Sequence, residues 1–371
     1  MSDGDFRCAH GAGDDWGQVA KLLADGLKPD AASGLGFLYL TEQLAGDAAS
    51  ILTFLRETTG VTDWVGAVGF GVAAAGHEYF GEAAGVAMIA PFAGDDYRII
   101  EGLHRDQPGL GAVAGDFVTG LEAPLGVVHG DATNAAIPDI VAGLAEESGA
   151  FLVGGLTTLA PDAQIARAVT GGGVSGVLLK PSLGMVTGLS QGCTPIGPAH
   201  VITDGRDNVL VELDRRPSLD VFIDEIGPNL AADLERAGQT VHVALTVPGS
   251  DQADYVVRNI TAIDPNQGLI AIGDTIDTGQ SLMFCIRNRD SAVADLKRMT
   301  SEIRRRLGRP PRAGLYFSCV ARGPNLFGQG SQEMGLITQS LGDFPIAGFY
   351  ANGEIFNHRL YGYTGVLVLF P

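Results

Sequence analysis

Near its C-terminal end the chain carries two short apolar runs, residues 315–317 and 346–350, and each runs into a glycine-bounded turn. Runs this short, closed off by turn residues, read as buried strands. Between them Glu333, Ile337 and Leu341 recur at helical spacing. The first turn offers Cys319 and Arg322, the second Asn352 and Glu354. Neighbouring strands ending level would bring a thiol, a guanidinium and a carboxylate to one rim, a polar pocket over an apolar floor.

The rest of the chain alternates strands and helices. Helical periodicity over 14–27 places Trp16, Val19, Leu23 and Leu27 on one face, and a second helix follows Thr41, which can cap it, and stops at Gly60. Strand-like runs cover 64–70, 84–91, 125–129, 151–153, 165–170 and 177–180, with a helix over 137–147. Residues 187–200 hold too much Gly and Pro for a helix or a central strand. A hairpin over 201–213 turns through 204–208. The later part offers strands at 241–247, 255–263, 269–272 and 281–286, then a helix capped by Asp290 that ends at Gly308. No internal repeat is evident. The pattern reads as an α/β (α+β) protein of two closely packed layered domains with mixed, partly antiparallel sheets.

Composition narrows the function. At 371 residues the chain has room for two or three domains. A net charge of −19 repels phosphate backbones, which argues against nucleic acid as a partner. The basic cluster Lys297, Arg298, Arg304, Arg305, Arg306 and Arg309 reads as the solvated face of one helix. The four cysteines, at 8, 193, 285 and 319, have neither metal-finger nor redox spacing. No run is long enough to insert in a membrane, and no leader is evident, so a cytoplasmic location is expected.

Two motifs fail on context. Residues 188–192 satisfy G-x-S-x-G, but Cys193-Thr194-Pro195 cannot open the helix that a nucleophile elbow needs. Residues 171–176 satisfy G-x-G-x-x-G, but a strand follows rather than a helix. Arg322 and Glu354 are the strongest polar candidates. They can grip the carboxylate and the ammonium of an amino acid, or they can pair with each other and tie two turns together.

The segments F-S-C-V-A-R-G (317–323), G-F-Y-A-N-G-E-I (348–355) and Y-T-G-V-L-V-L-F (363–370) resemble the C-terminal half of the FIST family of sensory domains. G-G-L-T (154–157), G-G-V-S-G-V (172–177) and G-L-S-Q-G-C-T-P-I-G-P (188–198) are similar to its N-terminal half. Arg215 departs from the pattern, standing where the family has glycine, and arginine tolerates positive φ poorly. The resemblance divides the chain at 30–228 and 229–371. It implies a sensory protein that binds a small, amino-acid-like ligand between the halves through Gln191, Cys193, Cys319, Arg322, Asn352 and Glu354, and signals to a separate output protein. It implies no firm cofactor, but because some relatives are haem sensors of nitric oxide it keeps haem open, with His129 and His200 as candidate ligands. A hydrolase using Cys319 or Ser190 is the remaining alternative.

Overall fold

Among the described residues, each of three strand–helix–strand crossovers joins two parallel strands that are buried along nearly their whole length. The computed structural model describes residues 5–27, 34–104, 115–246 and 255–371. After β1 (Arg7–Ala12) and α1 (Trp16–Leu27), the first crossover runs β2 (Leu35–Thr41), α2 (Ala48–Thr59), β3 (Asp63–Gly69). A hairpin follows, β4 (Gly71–Ala74) and β5 (His77–Phe80), then β6 (Ala84–Ala90) and β7 (Tyr97–Leu103). The same series returns as β8 (Leu125–Gly130), α3 (Ile137–Ser148), β9 (Phe151–Leu156), β10 (Gln164–Ala166), β11 (Ala168–Thr170), β12 (Val174–Leu179) and β13 (Val186–Gln191).

A different region intervenes: β14 (Cys193–Pro195), β15 (His200–Arg206), β16 (Val209–Leu213), β17 (Arg216–Pro217), α4 (Ser218–Ala231), α5 (Leu234–Thr240), β18 (Val241–Thr246), β19 (Tyr255–Asp264), β20 (Leu269–Ile272), β21 (Ser281–Arg287) and α6 (Arg289–Leu307). The series then returns a third time as β22 (Ala313–Cys319), α7 (Gln332–Leu341), β23 (Ile346–Ala351), β24 (Glu354–Phe356), β25 (Arg359–Tyr361) and β26 (Thr364–Phe370).

Contacts divide the chain into two units, one made of Met1–Ser190 with Asp295–Pro371, the other of Gln191–Ala294. This division follows packing, whereas the one at 228/229 follows chain order. The first unit holds three six-stranded mixed sheets, in the orders β1-β6-β2-β3-β10-β11, β7-β12-β8-β9-β24-β25 and β13-β26-β22-β23-β4-β5. All three share one plan, with a parallel pair at the centre flanked by antiparallel strands. Each hairpin is donated to the sheet of another repeat, and β1 takes the place that β7 and β13 take elsewhere. The internal threefold repeat, which the sequence did not reveal, is thus clear in the topology.

One position in each parallel pair shows why the sequence folds this way. Gly66, Gly154 and Gly348 stand opposite Leu38, Val128 and Tyr316. A Cβ on them would lie 1.7, 1.8 and 1.8 Å from the partner's carbonyl oxygen. No side chain fits there. The next residues on the first strands, Tyr39, His129 and Phe317, meet in a single core, with ring centroids 5.6 to 6.3 Å apart. Helices α1 and α2 cover the outer face of the first sheet, and α3 that of the second.

In the second unit the strands β21-β15-β16-β20-β19-β18 close on themselves through a β21–β18 pairing, so this barrel has no open edge among its six members. Its core gathers Ile202, Leu210, Val243, Ile270 and Phe284 with Phe222 of α4. The strand expected over 241–247 is seen over Val241–Thr246, and Val247 lies outside the described residues.

Several local expectations change. Asn288, not Asp290, caps α6, its Oδ1 accepting from the amides of Asp290 and Ser291. Thr41 turns its hydroxyl to the carbonyls of Glu82 and Ala84 rather than to a helix. Arg215 keeps the left-handed corner of the family's glycine, at φ 65°, with its amide donated to Thr203 Oγ1. Residues 188–191, in the stretch read as neither helix nor central strand, are extended within edge strand β13.

The glycine argument is testable by urea denaturation. Gly154→Ala should lose at least about 3 kcal/mol of stability. Gly143→Ala, in α3 with nothing within 4 Å of the added methyl, should gain up to about 1 kcal/mol.

Candidate functional site

Parallel strands β22 and β23 end level, Cys319 opposite Ala351, so the corners that follow them meet. Arg322 stands in the first corner, fully buried, and its charge is met by Glu333. Arg322 Nε donates to Glu333 Oε1 at 2.8 Å. The same carboxylate accepts from Tyr316 Oη (2.7 Å), from Ser318 Oγ (3.2 Å to each oxygen) and from the Gly323 amide (2.9 Å). Strand β22 and the corner that follows it supply these donors, and Glu333 brings the acceptor from the first turn of α7. The guanidinium also lies 5.1 Å from the Phe327 ring centroid.

The other edge of the guanidinium is held far less tightly. Nη1 reaches the carbonyls of Ser190 (3.4 Å) and Tyr363 (3.5 Å), and Nη2 reaches Ser190 Oγ (3.3 Å). These lengths sit at the outer limit of hydrogen bonding.

Glu354 lies at the second corner with no exposed surface. Its Oε2 accepts from the amide (3.0 Å) and hydroxyl (2.6 Å) of Thr364. Its Oε1 has no hydrogen-bond partner. Burial pushes the Glu354 carboxyl up to about 8, against the pull of Thr364 and Arg322. Burial also raises the Cys319 thiol to about 12, and the charge of Glu354 adds to the effect. Arg322 therefore does not activate Cys319, whose thiol stays protonated at neutral pH. Glu78 of β5, half-buried, is a third carboxyl here. Its Oε1 accepts from the Met334 amide at the start of α7 (2.9 Å), its Oε2 has no partner, and burial pushes it up to about 7.

The structure thus brings Cys319, Arg322, Glu354 and Ser190 together. It rejects the direct tie between Arg322 and Glu354, because Glu333 takes the guanidinium. Asn352 is exposed, with its amide donated to the Leu156 carbonyl. Gln191 and Cys193 belong to the second unit. There Gln191 Nε2 donates to the Tyr255 carbonyl (3.2 Å), and buried Cys193 stands opposite Arg287. Sequence reasoning missed the role of Glu333. The signal was a charged residue in register with the apolar positions Ile337 and Leu341.

The two histidines are enclosed. His129 Nε2 lies 3.4 Å from Tyr39 Oη, its ring is packed against Tyr39, Phe317 and Phe349, and burial lowers it to about 3. His200 Nδ1 lies 2.7 Å from Asp214 and Nε2 3.4 Å from Glu225. His129 has no exposed surface and His200 little. Among the described residues, no group of three or more His, Cys, Asp or Glu is placed to hold a metal ion.

Sequence comparisons agree with this architecture. The FIST N domain family matches residues 34–216 and the FIST C domain family residues 219–357. An uncharacterized protein of Mycobacterium tuberculosis is 34% identical over 215 residues, 55% of each chain. An uncharacterized protein of Mycobacterium bovis is 36% identical over 211 residues, 53% of each. In each case the match spans about half the length of the curated relative. Strands of the two matched regions share sheets: β4 pairs with β23, and β9 with β24. Glu354 and Arg322 therefore lie where the two meet, inside one compact unit.

Two measurements check the geometry. Glu333→Gln should cost about 3–5 kcal/mol in urea denaturation, because it leaves Arg322 buried without its counter-charge. Glu354 has a folded-state pKa above its unfolded value, so the native state binds the extra proton. Its contribution to stability is complete below about pH 4.5 and is lost as pH rises toward about 8. Glu354→Gln should therefore gain stability over the parent as pH is raised from 5 to 8.5, read from urea midpoints at each pH.

Proposed function

Because the chain belongs to the FIST family, whose domains are associated with sensory and signal-transduction roles, we propose that it is a sensory protein binding a small amino-acid-like ligand at the Arg322–Glu354 corner. The observation that carries this reading is the unpartnered, fully buried Glu354 Oε1, beside a guanidinium edge whose own contacts are long. A buried acceptor without a partner costs about 1–3 kcal/mol, and a ligand donor there would recover it. The ligand's ammonium takes Glu354 Oε1.

The cluster has no solvent-exposed surface at Arg322, Glu333 or Glu354, so a ligand enters only when a corner lifts. Tyr363, at φ 63°, and the edge strand β13 adjoin the guanidinium. Left-handed φ in a bulky residue stores backbone strain, which favours movement at that corner. Entry at this corner changes the balance between a closed and an open arrangement, and a separate output protein reads the change. The proposal includes a cytoplasmic setting, supported by four cysteines that all stand free. No described helix is long and apolar enough to cross a membrane.

Binding without conversion is favoured over hydrolysis by two features. The Cys319 thiol is held protonated, and Ser190 Oγ pairs with a guanidinium instead of a base. A thermal-shift screen of the twenty amino acids tests the reading. A ligand at 100 times its Kd should stabilise the protein by about 2.7 kcal/mol, and Glu354→Gln should remove that response. A screen without any shift, or a shift untouched by Glu354→Gln, would refute it.

A further inference from the structure

We infer that the ligand is recognised as a cation: a primary ammonium compound whose carboxylate, where it has one, contributes little. The inference rests on the sensor reading above and concerns the ligand's charge. The bookkeeping of buried charge carries it. Glu333 already meets the guanidinium with an ion pair, and three further groups donate to that carboxylate. Arg322 therefore has no net charge left to offer an anion. Placing a second carboxylate on its Nη edge would leave two anions on one buried cation.

Glu354 is the group left without compensation. The groups that face it are Thr364 of β26, Cys319 at the end of β22, Arg322 in the following corner and Glu333 of α7. Of these, only Arg322 is cationic, and Glu333 claims it. Like Oε2 of Glu78 on β5, Glu354 Oε1 is an unfilled position of this cluster. An ammonium supplies both what that oxygen lacks and the missing positive charge. Because Glu354 is protonated at neutral pH, an arriving ammonium displaces that proton. The carboxyl O–H bond breaks, the proton leaves to buffer, and an N–H···O⁻ contact forms.

The threefold plan supplies a clean variant. Gln164 opposes Ala67 in one repeat as Glu354 opposes Gly155 in another, each next to the critical glycine of its strand pair. Gln164 is itself buried and hydrogen-bonded. The fold accepts an amide at this place, so Glu354→Gln should fold.

The experiment compares each amino acid with its amide and with the carboxylic acid lacking the amino group, by thermal shift and then calorimetry. The amides should bind at least as tightly as the acids, and the des-amino acids should give no shift. Affinity should rise about tenfold between pH 6 and 7. Calorimetry in two buffers of different ionisation enthalpy should report about one proton released per ligand at pH 6.5. Glu354→Gln should abolish binding and proton release together. If amino acids bind and their amides do not, the cation inference falls while the sensor reading stands. Amides binding where the acids fail would support the cation inference and refute the amino-acid reading. If neither class binds, both fall.

Discussion

The Arg322–Glu333 ion pair decides what the candidate site can be. It is buried completely, and it joins the corner after β22 to the first turn of α7. Burying two charges is expensive unless each is met by the other and the remaining donors are filled. Here Tyr316, Ser318 and the Gly323 amide fill the carboxylate. Once that exchange is made, the guanidinium no longer balances Glu354. The neighbouring carboxyl is then both buried and short of a donor, and its raised pKa expresses this.

The threefold arrangement explains why only one corner has this character. Val72, Gln164 and Glu354 occupy matching places, each opposite the residue that follows a critical glycine. Thr41, Asp131 and Cys319 match at the ends of the first strands. In the first repeat the hairpin place holds a valine in the apolar core. In the second, Gln164 is satisfied by the carbonyls of His129 and Gly173. Only the third puts an ionisable group there and leaves one of its oxygens unfilled. A scaffold built three times, with chemistry retained at one copy, concentrates function without disturbing the core.

Much of this was legible in the chain itself. Apolar runs at 315–317 and 346–350 announced the parallel strands, and the turns after them held Cys319, Arg322 and Glu354. Family resemblance spanned both halves. What stayed hidden has physical causes. The threefold repeat is carried by hydrogen-bond register and by single glycines such as Gly66, Gly154 and Gly348, not by recurrent side chains. Hairpin exchange between sheets is a long-range pairing with no local signal. Glu333 shared a helical face with Ile337 and Leu341, but spacing alone cannot tell a buried anion from a solvated one. Asn352 sits in the right turn but points to solvent, since a turn's sequence does not fix the direction of each side chain.

Glu354 itself offers the most direct test. A carbon-13 NMR titration of the selectively labelled protein, with Glu354→Gln to assign the resonance, reads the ionisation of this one carboxyl. The account predicts a midpoint near 8, well above an ordinary glutamate. A midpoint in the usual range near 4 would mean that Arg322 does compensate Glu354, and the charge argument behind the site would be contradicted.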